Sequence, residues 1–257
     1  KWIISKLPWE YETTYVEPFA GMLGILIGRR PVMSEIVNDL DGNLYNWWCV
    51  VRDEPDELAR MISLTPHSRD ALNDAYPIVD NPEGHSSVRR AHALHVVLEQ
   101  GIYRRMSQEP SWRIAINPVG ARSDLIWDGR EIYPLAKRFR NVQIENRDAL
   151  KVLERVCAEP RAVIYCDPPY PTADTSPYRE RNFDHGRMSE ILLGDGNKAR
   201  VAISGYGAEW DNLGWVKNEK VIGTSQIKGL ANVGKAERTE VLWTNYQPPN
   251  HQSAIDL

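Results

Sequence analysis

Apolar positions in this chain fall into short blocks that alternate between strand-like and helix-like patterns. Thr13-Thr14-Tyr15-Val16-Glu17 is β-prone, Pro18-Phe19-Ala20-Gly21 breaks it, and residues 22–28 are apolar and helix-like. A second strand is expected at Pro31-Val32-Met33-Ser34-Glu35-Ile36. Leu44, Trp47, Trp48 and Val51 recur at helical spacing, which assigns the Trp pair to a core rather than to a stacking surface. Val142-Gln143-Ile144-Glu145-Asn146 reads as a strand, and Asp148 opens a helix running to residue 158. The apolar run at 162–166 and the largely apolar stretch 200–206 predict buried strands, with a short helix at 187–193 between them. Residues 215–221 and 239–245 read as closing strands. Strands alternating with helices in this way predict an α/β fold.

The run Ala162-Val163-Ile164-Tyr165-Cys166 ends abruptly in Asp167-Pro168-Pro169-Tyr170. Neither proline has a backbone N–H to give to a sheet, so a rigid loop must leave the strand end carrying Asp167 and Tyr170 close together. Ligands of open α/β sheets bind at such strand ends. The chemistry suits a planar amine. A carboxylate accepts from an exocyclic NH2, a carbonyl beside the prolines is a second fixed acceptor, and a Tyr ring offers a stacking face. The amine would be held, its lone pair drawn out of ring conjugation and aimed at an electrophile. The bland alternative is a tight surface turn, since Asp-Pro pairs form turns readily. Upstream, the strand, glycine turn and helix over 13–28 form the geometry in which backbone approaches a nucleotide-like ligand. An acidic residue ending a second strand is where Rossmann-like sheets clasp ribose hydroxyls. Glu35 is the candidate and Asp39 the alternative, with capping of the next helix the competing role for Asp39 or Asp41.

Composition shifts between residues 54 and 132. Pro55, Pro66, Pro77, Pro82, Pro110 and Pro118 punctuate short helical pieces, and arginines gather at Arg69, Arg89, Arg90, Arg104, Arg105, Arg113, Arg122 and Arg130. Tyr76, Tyr103, Trp112 and Trp127 are interleaved. Arginine suits bidentate contacts to phosphate or guanine, and solvated helix faces are the alternative for part of the set. His92 and His95 lie three apart with no third ligand of suitable type nearby, so they are expected on the surface or in the core rather than on a metal. The net charge of −4 argues against an evenly basic coat but leaves room for a local basic face. Cys49, Cys157 and Cys166 are far apart in apolar contexts and read as reduced core residues, consistent with a cytoplasmic setting. No apolar stretch is long enough to span a membrane, and no membrane partner is expected.

At Asp167-Pro168-Pro169-Tyr170 the chain resembles the amino-directed DNA methyltransferases, and within them the Dam-type adenine-N6 enzymes of the D12 class, including phage members. Glu17-Pro18-Phe19-Ala20-Gly21 is similar to that family's S-adenosylmethionine loop, with Leu23 standing where many relatives carry a second Gly. Ile144-Glu145-Asn146-Arg147-Asp148-Ala149 resembles the segment in which an Asp accepts from the adenine amine of the cofactor; Asp148 is the candidate, and helix capping is a role it can hold as well. Ser204-Gly205-Tyr206 resembles phage-type members, and Tyr206 is a candidate wall of the base pocket, with packing the other reading. The family's Gly-Gly-Lys-like segment has no counterpart in these residues, and residues 1–7 are expected to form the helix that comes after it.

The resemblance implies a Rossmann-like methyltransferase sheet over 1–53 and 133–257, with a mainly helical target-recognition domain inserted at 54–132. It implies S-adenosylmethionine as cofactor, S-adenosylhomocysteine as product, no metal, and double-stranded DNA as partner. Asp167, Pro168, Pro169 and Tyr170 would act on a flipped adenine. Glu17, Pro18, Phe19, Ala20, Gly21, Glu35 and Asp148 would hold the cofactor. Arg89, Arg90, Arg104, Arg105, Arg113, Arg122, Tyr178 and Tyr206 are the candidates for contact with DNA. The polar stretch 171–184 is expected either to cover the base, with Tyr178 and His185 near it, or to be an ordinary surface loop. The basic, Gly-rich stretch 228–238 is expected to be a loop able to touch DNA, and the tail from Gln247 to be frayed. A cognate restriction endonuclease is one expected protein partner; an orphan or phage enzyme would have none. A DNA-binding module without catalysis, and an amino-methyltransferase acting on RNA or protein, are the competing functions. Cytosine C5 chemistry needs a Cys nucleophile in a Pro-Cys loop, and no cysteine here has that setting.

Overall fold

The computed structural model describes residues 1–101, 112, 128–169, 183–223 and 237–249. In chain order the elements are α1 (Trp2–Lys6), β1 (Thr14–Glu17), α2 (Gly24–Gly28), β2 (Ser34–Asn38), α3 (Gly42–Asp53), α4 (Pro55–Ser63), α5 (Arg69–Asp80), α6 (Ser87–Gln100) and α7 (Ile132–Phe139). They continue with β3 (Val142–Glu145), α8 (Ala149–Val156), β4 (Ala162–Cys166), α9 (His185–Leu193), β5 (Arg200–Tyr206), β6 (Val216–Gly223) and β7 (Glu237–Thr244). Chain contacts divide the protein into one unit of Lys1–Asn38 with Arg147–Leu257 and another of Asp39–Asn146.

In the first unit six strands lie side by side in the order β2-β1-β4-β5-β7-β6. β1 pairs in parallel with β2 and β4, β4 pairs in parallel with β5, and β7 runs antiparallel between β5 and β6. The four parallel strands therefore finish at one edge. β4 is buried along its whole length, which is why its sequence is unbroken apolar rather than alternating. Period two divides the side chains between the sheet's faces. Val16, Ile164, Cys166, Val201, Ile203 and Trp243 pack into a core with Val152, Leu153 and Val156 of α8 and Met188 and Leu192 of α9. Tyr15, Glu17, Tyr165 and Ser204 alternate with these core residues and point to the other face; all of them are buried.

β4 and β5 occupy the residues that the apolar runs predict. β2 does not: it begins at Ser34, later than expected, and runs on to Asn38. Pro31 cannot donate to a ladder, the Met33 N–H is taken by the Tyr11 carbonyl at 2.7 Å, and pairing with β1 starts at Thr14 opposite Ser34. α2 likewise begins only at Gly24, because Leu23 is left-handed at its N-cap.

The second unit is mostly helical. α6 is its central element, buried at Val88, Ala91, His92, Ala93, Leu94, His95, Val96 and Val97, with α3 and α5 packed against it. Trp47 and Trp48 lie in this core, as their spacing predicts. Asp41 caps α3 by accepting from the Asn43 and Leu44 N–H groups, while Asp39 accepts from the Asp41 N–H at 3.0 Å. Pro55 opens α4 as expected, but Pro77 sits inside α5 rather than ending it. The hydrogen bond it forfeits is offset by burial of Leu72, Ala75, Tyr76, Ile78 and Val79.

Candidate active site

Asp167 is the first residue past β4 and is exposed, whereas all five residues of the strand are buried. Pro168 is buried and Pro169 half-buried, so the turn is rigid in its backbone and anchored by its first ring. The Asp167 carboxylate is joined to the neighbouring strand: Ser204 Oγ donates to its Oδ1 at 2.9 Å. Tyr165 Oη in turn donates to Ser204 Oγ at 3.0 Å. Burial, and then the Asp167, Glu17 and Glu240 carboxylates, hold the Tyr165 phenol well above its ordinary range, so it stays protonated and a donor. Burial also pushes the Cys166 thiol well up, with Cys157 and Asp167 adding to it, so Cys166 is no nucleophile.

At the same edge, β1 ends in Glu17, buried, with Oε1 accepting from Tyr15 Oη at 2.8 Å. The Arg29 guanidinium lies over the Tyr15 ring, 3.7 Å from its centre. The turn after β1 has two left-handed positions, Gly21 at φ 49° and Leu23 at φ 57°. The second carries a buried Leu where a glycine would be unstrained, at a cost of about 1 kcal/mol. The loop is held by its neighbours. The Ala20 N–H donates to the Asn38 carbonyl at 2.9 Å. Asn38 Nδ2 donates to the Pro18 and Arg147 carbonyls, each at 2.9 Å, and Asn38 Oδ1 accepts from the Arg147 N–H at 2.9 Å. One fully buried amide therefore ties the loop 18–20 to the backbone just before Asp148. Asp148 is exposed and caps α8 through the Leu150 N–H at 2.8 Å. Phe19 meets Phe183 edge to face with centroids 5.2 Å apart, Phe183 meets His185 at 4.9 Å, and His185 meets Trp210 at 5.6 Å.

The structure thus gathers Glu17, Pro18, Phe19, Ala20, Gly21, Asp148, Asp167, Pro168 and Pro169 within the first unit. Glu35 is buried as the second residue of β2, three positions before its end, and Asp39 directly follows that strand. Tyr206, half-buried, donates its N–H to Glu209 at 3.0 Å. Arg89 and Arg90 lie on α6 of the second unit, Arg89 exposed and Arg90 half-buried. Arg89 also lines a cavity of about 180 Å³ with Thr65, Asp74 and His92. Tyr170, Tyr178, Arg104, Arg105, Arg113 and Arg122 lie outside the described residues, as do most of 171–184 and 228–238. Sequence reasoning missed Asn38 and Ser204. Their signal was slight: a polar residue ending the run Ile36-Val37, and a hydroxyl ending the run Val201-Ala202-Ile203.

A sheet that is parallel through its site strands and closed by an antiparallel pair, with helices packed on it, defines a Rossmann-like methyltransferase. Residues 1–193 of the 257 match the model of the D12 class N6 adenine-specific DNA methyltransferases. The chain belongs to that family, and its chemistry is methyl transfer from S-adenosylmethionine to adenine in DNA. No curated protein matches the sequence. Among the described residues no helix is long and apolar enough to cross a membrane.

Proposed function

We propose that the chain methylates the N6 amine of an adenine flipped out of a specific duplex DNA sequence, with Asp167 and the Pro168 carbonyl accepting from that amine and Tyr170 stacking on the base. The observation that carries this reading is the setting of Asp167. It is an exposed carboxylate at the end of a wholly buried strand, tied by one oxygen to the next strand and followed by two prolines. Two fixed acceptors hold the amine with its lone pair turned out of ring conjugation, so the contribution is positioning and electrostatic aim. Pro169 keeps the turn from relaxing. S-adenosylmethionine bound there would supply the electrophilic methyl group, with S-adenosylhomocysteine as the product. Asp167 need not be a strong base, because the amine proton becomes acidic only as the new N–C bond forms. Flipping the base costs a few kcal/mol, which DNA binding must offset.

The first unit fits the cofactor. Its left-handed turn at Gly21 and Leu23 lets backbone approach a ligand closely, and Asn38 fixes that turn against the segment bearing Asp148. Glu17 at the end of β1 and Pro18, Phe19, Ala20 and Gly21 in the turn after it would hold it, Asp148 would accept from its adenine amine, and Glu35 would take the ribose hydroxyls. The inserted segment 54–132 is assigned to target recognition, with Arg89 and Arg90 among the arginines that would meet DNA.

The test is transfer of labelled methyl from S-adenosylmethionine to mixed-sequence duplex DNA, with product nucleosides resolved by mass. N6-methyladenine from the parent chain, reduced at least about 100-fold in Asp167→Ala, is expected. Methyl transfer that survives Asp167→Ala unchanged would remove Asp167 from the site. DNA binding with no product and no calorimetric S-adenosylmethionine binding would mark a decayed binding module.

A further inference from the structure

We propose that Tyr165 and Ser204 are positioning residues for methyl transfer, forming a buried hydroxyl relay that sets the rotation of the Asp167 carboxylate. The proposal rests on the role given to Asp167 above. The register supplies the geometry: Tyr165 lies opposite Ala202 and Cys166 opposite Ile203, which brings Ser204 level with Asp167. Period two then turns Tyr165, Asp167 and Ser204 to one face.

The direction of the relay comes from counting protons. A serine hydroxyl has one proton and two lone pairs. One lone pair receives the Tyr165 proton at 3.0 Å. The Ser204 proton then has two acceptors in reach, Asp167 Oδ1 at 2.9 Å and the Cys166 carbonyl at 3.3 Å. The nearer acceptor is also the charged one and takes the stronger bond. Tyr165 and Ser204 are only 4% and 3% exposed, so the relay is shielded from water, while the carboxylate it steers faces outward.

A second observation fixes the relay's origin. A Cβ added at Gly205 would lie 2.5 Å from Glu209 Oε2 and 3.1 Å from a carbon of the Trp243 ring. The end of β5, next to Ser204, is therefore closely packed against Trp243 and Glu209. A buried donor held to one carboxylate oxygen narrows the rotamers open to an exposed aspartate.

The experiment measures steady-state methyl transfer with the whole chain and its Ser204→Ala, Ser204→Thr, Tyr165→Phe, doubly substituted (Ser204→Ala with Tyr165→Phe) and Asp167→Ala forms. Ser204→Ala is expected to lower kcat about 10- to 100-fold with the KM for S-adenosylmethionine held within about twofold. Ser204→Thr, which keeps the hydroxyl, restores most of the rate. Tyr165→Phe gives a smaller loss, and the double variant is no slower than Ser204→Ala, because Tyr165 acts through Ser204. A wild-type kcat in Ser204→Ala, a Ser204→Thr as slow as Ser204→Ala, or a loss carried by KM overturns the relay. If Ser204→Ala does not fold, Tyr165→Phe decides, and an unchanged kcat there overturns it. Inactive Asp167→Ala beside a fully active Ser204→Ala defeats the relay alone; active Asp167→Ala defeats the underlying role of Asp167.

Discussion

Both units of this protein bury hydrogen-bonded amide or hydroxyl side chains, but to different ends. In the helical unit, Gln100 accepts from the Ser68 N–H and donates to the Pro66 carbonyl, each at 3.1 Å, and Asn46 donates to the Ser87 carbonyl at 2.9 Å. These bonds stitch helix ends together: Ser68 caps α5 and Ser87 begins α6. In the sheet unit, Asn38 and Ser204 use the same chemistry on loops that carry candidate reactive groups. Parallel strands that finish together present several loops to one place, so a buried amide or hydroxyl there positions chemistry. In the helices packed around α6 the same device joins helix ends.

The comparison is broken most decisively at Asn38. Asn38→Asp replaces two donors by a carboxylate facing the Pro18 and Arg147 carbonyls in a fully buried place, and should cost about 4 kcal/mol. Calorimetry on the folded protein should also show S-adenosylmethionine affinity down at least about tenfold. An unchanged affinity would mean that Asn38 serves packing alone, as Gln100 does. Gln100→Ala is the counterpart. Chemical denaturation should show a loss of about 2 kcal/mol from the two severed bonds, with cofactor affinity unaltered. A fall in that affinity would show that the helical unit also sets the cofactor loops.

Near neutral pH the smallest effect is set by protonation. Burial, with His92 adding to it, lowers His95 to about 3, and burial with Arg89 lowers His92 to about 4, both from an ordinary 6.5. Below pH 6.5 the unfolded chain takes up protons that the folded chain refuses until those lower values. Stability from these two groups is thus complete above pH 6.5 and falls as pH drops toward 4 and then 3. Each should contribute a slope of up to about 1.4 kcal/mol per pH unit in that window. Urea titrations at pH 7, 6 and 5 would measure it, and His95→Leu should flatten the slope. A slope untouched by that change would place the titrating groups elsewhere.

Legibility differed between local and long-range features for a physical reason. The strands at 162–166 and 200–206 were readable because each carries a run of apolar, β-prone residues, which at 162–166 meets prolines that cannot extend it, and both properties are local. The Trp47–Trp48 core pair was readable from helical spacing alone. Family and sheet class came from motifs that lie on those local elements. The start of β2 was not readable, because Pro31-Val32-Met33 is as β-prone as Ser34-Glu35-Ile36 and only pairing with β1 decides where the ladder begins. Nor was the left-handed Leu23, since its conformation is imposed by a loop whose Ala20 is bound to Asn38. His92 and His95 could be placed on the surface or in the core from sequence; packing around α6 put them in the core.

By itself, then, the sequence determined which segments become strands and helices and that an aspartate and two prolines close the central strand. Periodicity, chain stiffness and the missing proline N–H act within a few residues. Tertiary structure alone decided which polar groups meet. Asn38 reaches Arg147 across 109 positions and Ser204 reaches Asp167 across 37. Those encounters depend on which strands lie side by side, an order that arises only when the whole sheet is assembled.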